Sequence, residues 1–176
     1  MALSVLCGTC GPANASGTIL LSLTHLILKD MNLEKCKSHV LISGSAMILV
    51  GLIVGALVPV FPFPRLAVGA HIQFVTNGIL FIVQSLVLHS FQPRFGKFSS
   101  WITISAAFLT WLMAASEVLN SFWGTLETLP IAGRQAGATG GTAIQEAVVK
   151  LPHGLAALSL IISWGFTING LLKRAD

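Results

Sequence analysis

Four apolar runs, each long enough to cross a bilayer, leave this chain few ways to fold. The first is "HVLISGSAMILVGLIVGALVPV", about residues 39–60, closed by the proline-rich turn "FPFPR". The second, "LAVGAHIQFVTNGILFIVQSLVLH", covers about 66–89, and the third, "SWITISAAFLTWLMAASEVLNSFW", about 100–123. The fourth, "TAIQEAVVKLPHGLAALSLIISWGFTINGLL", covers about 142–172 and is so long that its first turns are expected to stand above the hydrocarbon. A spanning helix needs about 20 predominantly apolar residues. Only 9% of the chain is charged and its mean hydropathy is +0.84, whereas a soluble domain carries about 25% charged residues. Most of the surface must therefore face lipid, where backbone groups have to be satisfied within the segment. The expected fold is all-α, an integral membrane four-helix bundle with a short extra N-terminal helix.

That extra helix is "TILLSLTHLIL", residues 18–28. At about 1.5 Å per residue it reaches roughly 17 Å, short of a core of about 30 Å, so an interfacial or packed helix is expected. It lacks the leading basic residues of a signal peptide. Residues 1–38 then form an N-terminal extension and residues 39–176 the bundle. Cys7 and Cys10 make a lone C-x-x-C with no second pair, a weak metal or redox signal. Asn14-Ala15-Ser16 matches a glycosylation acceptor, a pattern that often arises by chance.

The net charge of +4 is spread over loops and ends without a basic stripe interleaved with aromatics, so no nucleic-acid partner is expected. The charge reports topology instead. Lys29, Lys35, Lys37, Arg94, Lys97, Lys173 and Arg174 fall on one side of a four-span arrangement, and Arg65 and Arg134 on the other. This asymmetry puts both termini in the cytoplasm. The long connection "GTLETLPIAGRQAGATGGT" lies between spans three and four. Its composition suits a flexible connector, and its length suits a functional loop.

Ionisable groups within spans are rare and usually face the bundle interior. His71 lies five residues inside the second span from its non-cytoplasmic end. Glu117 and Asn120 lie six and three residues from the end of the third span at Trp123. Glu146, Lys150 and His153 occupy the first turns of the fourth span. Antiparallel topology gathers all of these in one half of the membrane, beneath the glycine-rich connection. At about 100° per residue, Gln73, Asn77 and Gln84 share one face of the second span, and His71 projects roughly 120° from Asn77. Thr103, Thr110 and Glu117 form a polar line on the third span.

Blander readings stand beside these. Glu146 and Lys150 also fit an i,i+4 ion pair, and His153 fits a partner for the carbonyl freed by Pro152. Gln84 reads as interhelical packing. His25, His39 and His89 sit near helix ends and read as structural or solvated.

The run "AHIQFVTNG", an Ala-His pair with Asn-Gly six residues on, resembles the second-span motif of the family containing hydroxylaminobenzene mutase and styrene oxide isomerase. The stretches "LPIAG" and "GGTAIQEAVVK" resemble the mutase branch more closely, and the likeness covers about residues 39–172. The resemblance implies a four-span bundle that assembles into homo-oligomers and, in the isomerase branch, holds haem b between neighbouring subunits. Carried over by position, His71 would be the cofactor-binding residue and ligand of the haem iron, and Asn77 would orient the substrate oxygen. The chain has no tyrosine, so the tyrosine of the isomerase branch has no counterpart.

The expected activity is rearrangement of a small apolar epoxide or arylhydroxylamine in the bilayer. Breaking the C–O or N–O bond develops negative charge on oxygen, which a Lewis acid or hydrogen-bond donor stabilises. Asn77, Glu117 and Glu146 are the catalytic candidates, the carboxylates as proton carriers or cation stabilisers. Gln73 and Asn120 are the substrate-binding candidates. A dry pocket favours rearrangement over hydrolysis. Admitting one water would give an epoxide hydrolase or cyclase, of the kind a natural-product pathway uses. A small proton-coupled exporter is the alternative from another class, although such transporters usually carry their glutamate on the first span, which here has none.

Overall fold

The computed structural model describes the backbone of residues 15–93 and 96–175, and the side chains of 33–93 and 96–174. Five α-helices and no strand occur among the described residues: α1 (Ala15–Leu57), α2 (Pro64–Phe91), α3 (Lys97–Trp123), α4 (Pro130–Gln135) and α5 (Ala143–Ala175), with a 3₁₀ turn at Val58–Val60. Four stretches are long and apolar enough to span a membrane: Leu33–Val60, Pro64–Phe91, Lys97–Trp123 and Ala143–Arg174. The all-α membrane bundle read from the sequence is the observed fold.

Two details differ. Residues 18–28 are not a separate helix, because α1 runs through them without a break to Leu57. No proline or glycine lies between Thr18 and Ser43, so nothing interrupts the backbone ladder. The apolar stretch long enough to span is Leu33–Val60, counted from the first residue whose side chain is described, and it contains Lys37. That lysine is buried, and its Nζ donates to Glu34 Oε1 at 2.6 Å. The side chains of residues 18–28, and Cys7, Cys10 and Asn14, lie outside the described residues.

The ends of the helices follow from local sequence. Pro64 opens α2 at a position whose N–H would be unpaired anyway. Gly124 closes α3 in the left-handed region at φ 64°, its N–H bonded to Asn120 O at 2.8 Å. Thr142 and Gln145 form a reciprocal box at the start of α5. Thr142 N–H donates to Gln145 Oε1 at 2.8 Å, and Gln145 N–H to Thr142 Oγ1 at 3.4 Å.

Helix α1 packs chiefly on α2 and α5 on α3, while α3 touches α1, α2 and α5. The α1–α2 seam depends on glycine. A Cβ on Gly44 would stand 2.6 Å from Gly78 O, and one on Gly78 would stand 2.7 Å from Gly44 O. Only the missing side chains let the backbones approach this closely. Phe74 meets Trp111 edge-on at 5.7 Å, and Trp111 Nε1 donates to Ser43 Oγ at 2.9 Å, tying α2, α3 and α1 together. Large apolar side chains point outward along α1 (Ile42, Leu49, Leu52) and α5 (Leu155, Leu158, Ile161), as a bundle in lipid requires.

Candidate functional site

The polar residues separate into three groups, one in each of three seams. His71 belongs to the α1–α2 seam. Its Nδ1 stands 2.7 Å from Gly51 O. A carbonyl can only accept, so Nδ1 is the donor and Nε2 is the ring nitrogen this bond leaves unused. The ring lies against Gly55, where a Cβ would come within 2.6 Å of Nδ1. A Gly-x-x-x-Gly pair on α1, Gly51 and Gly55, is therefore the seat of this histidine. On the next face of α2, Asn77 Nδ2 donates to Gln73 O at 2.7 Å and to Gln73 Oε1 at 3.0 Å. Gln73 is half-buried and Asn77 buried.

The second group lies between α3 and α5. Glu117 is fully buried, and its Oε1 stands 2.8 Å from His153 Nε2. Neither atom has an aligned hydrogen-bond partner, so this is a close contact of ionisable atoms and not a well-directed bond. His153 Nδ1 is 2.7 Å from Val149 O. The carbonyl that Pro152 frees is that of Val148, one residue away, so His153 does not serve that carbonyl. Asn120 Nδ2 donates to Glu117 Oε2 at 3.3 Å, and Asn120 Oδ1 accepts from Thr125 N–H at 3.0 Å and Thr125 Oγ1 at 2.6 Å. The polar line Thr103, Thr110 and Glu117 is wholly buried.

Glu146 borders this second group and does a different task. Its Oε1 accepts from Leu126 N–H at 2.8 Å and Gly141 N–H at 3.0 Å, and its Oε2 from Glu127 N–H at 2.9 Å. One carboxylate thus pins both ends of the 124–142 connection to the first turn of α5. The i,i+4 pair with Lys150 does not form, because Lys150 reaches across to Glu127 Oε2 at 2.8 Å. With its carboxylate filled by backbone donors, Glu146 prefers its acceptor work to a lysine in solvent.

The third group ties α2 to α5 and α3 nearer the opposite face. Gln84 Nε2 donates to Ser163 Oγ at 2.9 Å and Thr167 Oγ1 at 3.0 Å, and Ser163 Oγ donates to Thr103 Oγ1 at 3.1 Å. This is the packing role expected of Gln84.

The sequence expectation of one cluster is met in part. Glu117 and Asn120 come together, with Glu146 beside them; His71 and the Gln73–Asn77 pair lie in other bonded groups. Sequence reasoning missed His153 as the partner of Glu117, and Gly51 and Gly55 as the seat of His71. The glycine spacing was a usable signal. Among the described residues no group of three or more His, Cys, Asp or Glu is placed to hold a metal ion.

Residues 36–172 match the family model described as styrene oxide isomerase. Hydroxylaminobenzene mutase HabA of Ectopseudomonas oleovorans is 34% identical over 116 residues, 64% of this chain and 82% of that protein. Hydroxylaminobenzene mutase HabB of the same organism is 28% identical over 131 residues, 73% of this chain and 76% of that protein. No solved structure matches the chain. Four apolar spans and a family match over most of the length lead to one conclusion: this chain belongs to the styrene oxide isomerase family and is an integral membrane enzyme of the isomerase type.

Proposed function

We propose that the protein rearranges a small apolar arylhydroxylamine or epoxide within the bilayer, moving an oxygen inside one molecule. The observation that carries this reading is the 2.7 Å bond from His71 Nδ1 to Gly51 O. A histidine fixed in this tautomer by a backbone carbonyl is the usual form of a metal-ligating imidazole. The donor would fit haem b, which His71 would hold through Nε2, with a neighbouring subunit of a homo-oligomer completing the site. When bound, the haem iron supplies a Lewis acid for the C–O or N–O oxygen.

The chain's own residues supply the remainder. Gln73 and Asn77 orient the polar end of the substrate. Glu117, bound to Asn120 and facing His153, holds a proton in the half-membrane of the reaction. Glu146 closes the 124–142 connection and keeps water from the intermediate cation, which favours rearrangement over hydrolysis. Both termini face the cytoplasm, in keeping with the distribution of basic residues. The names of the two mutase relatives favour arylhydroxylamine over epoxide.

Turnover of N-phenylhydroxylamine by the detergent-purified chain in oxygen-18 water tests the reading. An aminophenol free of label is expected. A labelled aminophenol, or a labelled diol from an epoxide, would show that water is the oxygen source and refute it. A haem Soret band that weakens in His71→Ala is the matching spectroscopic result; a colourless active preparation would remove haem from the scheme.

A further inference from the structure

We propose that the cleft between α1 and α2, at the end of the bundle opposite His71, binds a phospholipid whose headgroup carries both a phosphate and a primary ammonium. Lys37 takes the phosphate and Glu34 the ammonium. The site is separate from the isomerase reading and does not rest on it.

The starting point is a buried cation. Among the described residues Lys37 is the one buried lysine or arginine. Its side chain is 5% exposed, whereas that of Glu34, which accepts from Nζ at 2.6 Å, is 62% exposed. A lysine near the end of a span ordinarily lays its stem along the helix and sets its ammonium in water. Lys37 instead lines a cavity of about 270 Å³ together with Glu34, Ser38, Ser85 and His89. Ser85 Oγ donates to Lys37 O at 2.9 Å, so α2 fixes the backbone from which the lysine projects. An ammonium has three hydrogens to give. Glu34 Oε1 takes one of them, and an anionic oxygen in the cavity would take another. That bond leaves Glu34 Oε2 free to meet a donor. The volume falls just under the usual range of ligand pockets, about 300–1,000 Å³, which suits a headgroup whose chains stay outside.

Depth and the apolar rim identify the class of ligand. Helix α2 has 28 residues, about 42 Å at 1.5 Å per residue, and overshoots a core of about 30 Å by roughly 6 Å at each end. Ser85 lies six residues before Phe91, where α2 ends, and His89 two, so the cavity straddles the boundary between hydrocarbon and headgroups. Its apolar rim is Leu41 and Leu86, 41% and 54% exposed. Exposed apolar side chains continue from that rim toward the membrane centre, Ile42, Leu49 and Leu52 on α1, and Val83 and Ile79 on α2. A charged pocket at headgroup depth above an apolar track is the shape of a lipid. The two charges then select the headgroup. A purely anionic lipid sets a negative group against Glu34. A quaternary ammonium offers Glu34 no hydrogen. A primary ammonium beside a phosphate meets both residues with charge-assisted hydrogen bonds.

Native mass spectrometry of the delipidated full-length chain tests this, by titration with dioleoyl phosphatidylethanolamine, phosphatidylcholine and phosphatidylglycerol. Wild type should bind the ethanolamine lipid about 10-fold more tightly than either of the others. Glu34→Gln, at an exposed position, should bring the ethanolamine and choline lipids within about twofold of each other. Lys37→Met keeps the stem and removes the charge, and should weaken the ethanolamine lipid by about 10-fold. Lys35→Ala, exposed and outside the cavity lining, should change nothing. Equal binding of the three lipids by wild type, or a preference for the glycerol lipid, overturns the inference. Retention of the ethanolamine preference in Glu34→Gln overturns it too, and both of these arms stand even where Lys37→Met does not fold. Dissociation of the oligomer in Lys37→Met with lipid selectivity unchanged, read by light scattering, also overturns it, by assigning the cleft to subunit contact. None of these measurements uses turnover, so the isomerase reading stands or falls separately.

Discussion

Replacing Gly55 with alanine separates the seat of His71 from the stability of the bundle. The added Cβ would stand 2.6 Å from His71 Nδ1 and 2.9 Å from Cε1. An ordinary contact begins near 3.4 Å, so the ring must retreat by roughly 0.8 Å. Such a shift lengthens the 2.7 Å bond to Gly51 O beyond useful range. Losing that bond costs about 1 kcal/mol, and an off-rotamer ring adds about 0.5–1.5 kcal/mol. Against this, alanine gains about 1 kcal/mol over glycine in a helix interior. Net stability should fall only modestly, by about 0.5–1.5 kcal/mol. Function should change much more, because disturbing the group behind a metal-ligating histidine typically costs 10- to 100-fold in affinity or activity. The control is Gly69→Ala on α2, whose Cβ would meet nothing closer than Leu129 Cδ1 at 3.9 Å. Thermal unfolding in detergent, turnover and haem content would be measured on both variants. The expected pattern is near-wild-type melting for both and a 10- to 100-fold loss of activity for Gly55→Ala alone. Full activity and full haem content in Gly55→Ala would refute the assignment of His71's working geometry to this seat.

Other expectations follow from the remaining contacts. Glu117→Leu with His153→Leu should cost clearly less than the two single variants summed; additive losses in a melting cycle would mean that the 2.8 Å contact carries no energy. Glu146→Gln replaces one acceptor oxygen with a donor facing a backbone N–H, so tryptic cleavage at the exposed Arg134 should accelerate, and an unchanged rate would count against the clamp. Lys150→Ala removes an exposed ion pair and should leave both melting and cleavage unaltered. A fluorescent protein fused to the C-terminus should glow from the cytoplasm, and a fusion active only outside the cytoplasm would reverse the orientation.

The fold was legible because hydropathy in lipid acts on every residue of a span, and no long-range detail is needed to see it. Helix ends were legible where Pro64 or Gly124 imposes them. The unbroken run of α1 was not, because the short apolar stretch 18–28 and the polar residues after it read as a separate element. Glu117, Asn120 and Asn77 stood out because a polar group in an apolar run demands a partner, but sequence cannot say which one. Helical phase correctly separated His71 from the Gln73–Asn77 face, since both lie on one helix of known period. It could not give the phase of α5 relative to α3, and so the pairing of His153 with Glu117 was out of reach. The spacing of Glu146 and Lys150 suggested a pair, and three backbone donors from a distant connection took the carboxylate instead.

Within a single chain, His71 and Glu117 are not partners. One is bonded into the α1–α2 seam and the other into the α3–α5 seam. Most polar groups of each seam are met by protein donors and acceptors, Glu117 Oε1 and His153 Nε2 of the α3–α5 seam being exceptions. Around the motif on α2, the side-chain atoms without a partner among the described residues are His71 Nε2, Gln73 Nε2 and Asn77 Oδ1. The first lies on one face of α2 and the other two roughly 120–160° around it. A small substrate cannot touch both faces of one helix. It can touch His71 of one subunit and the amide pair of a neighbour. As proposed, one face of α2 holds the cofactor and the other orients the substrate across a subunit boundary, so mixing impaired His71→Ala with impaired Gln73→Met subunits should restore part of the activity. If the mixed oligomer stays as impaired as its parents, the two faces do not share a substrate.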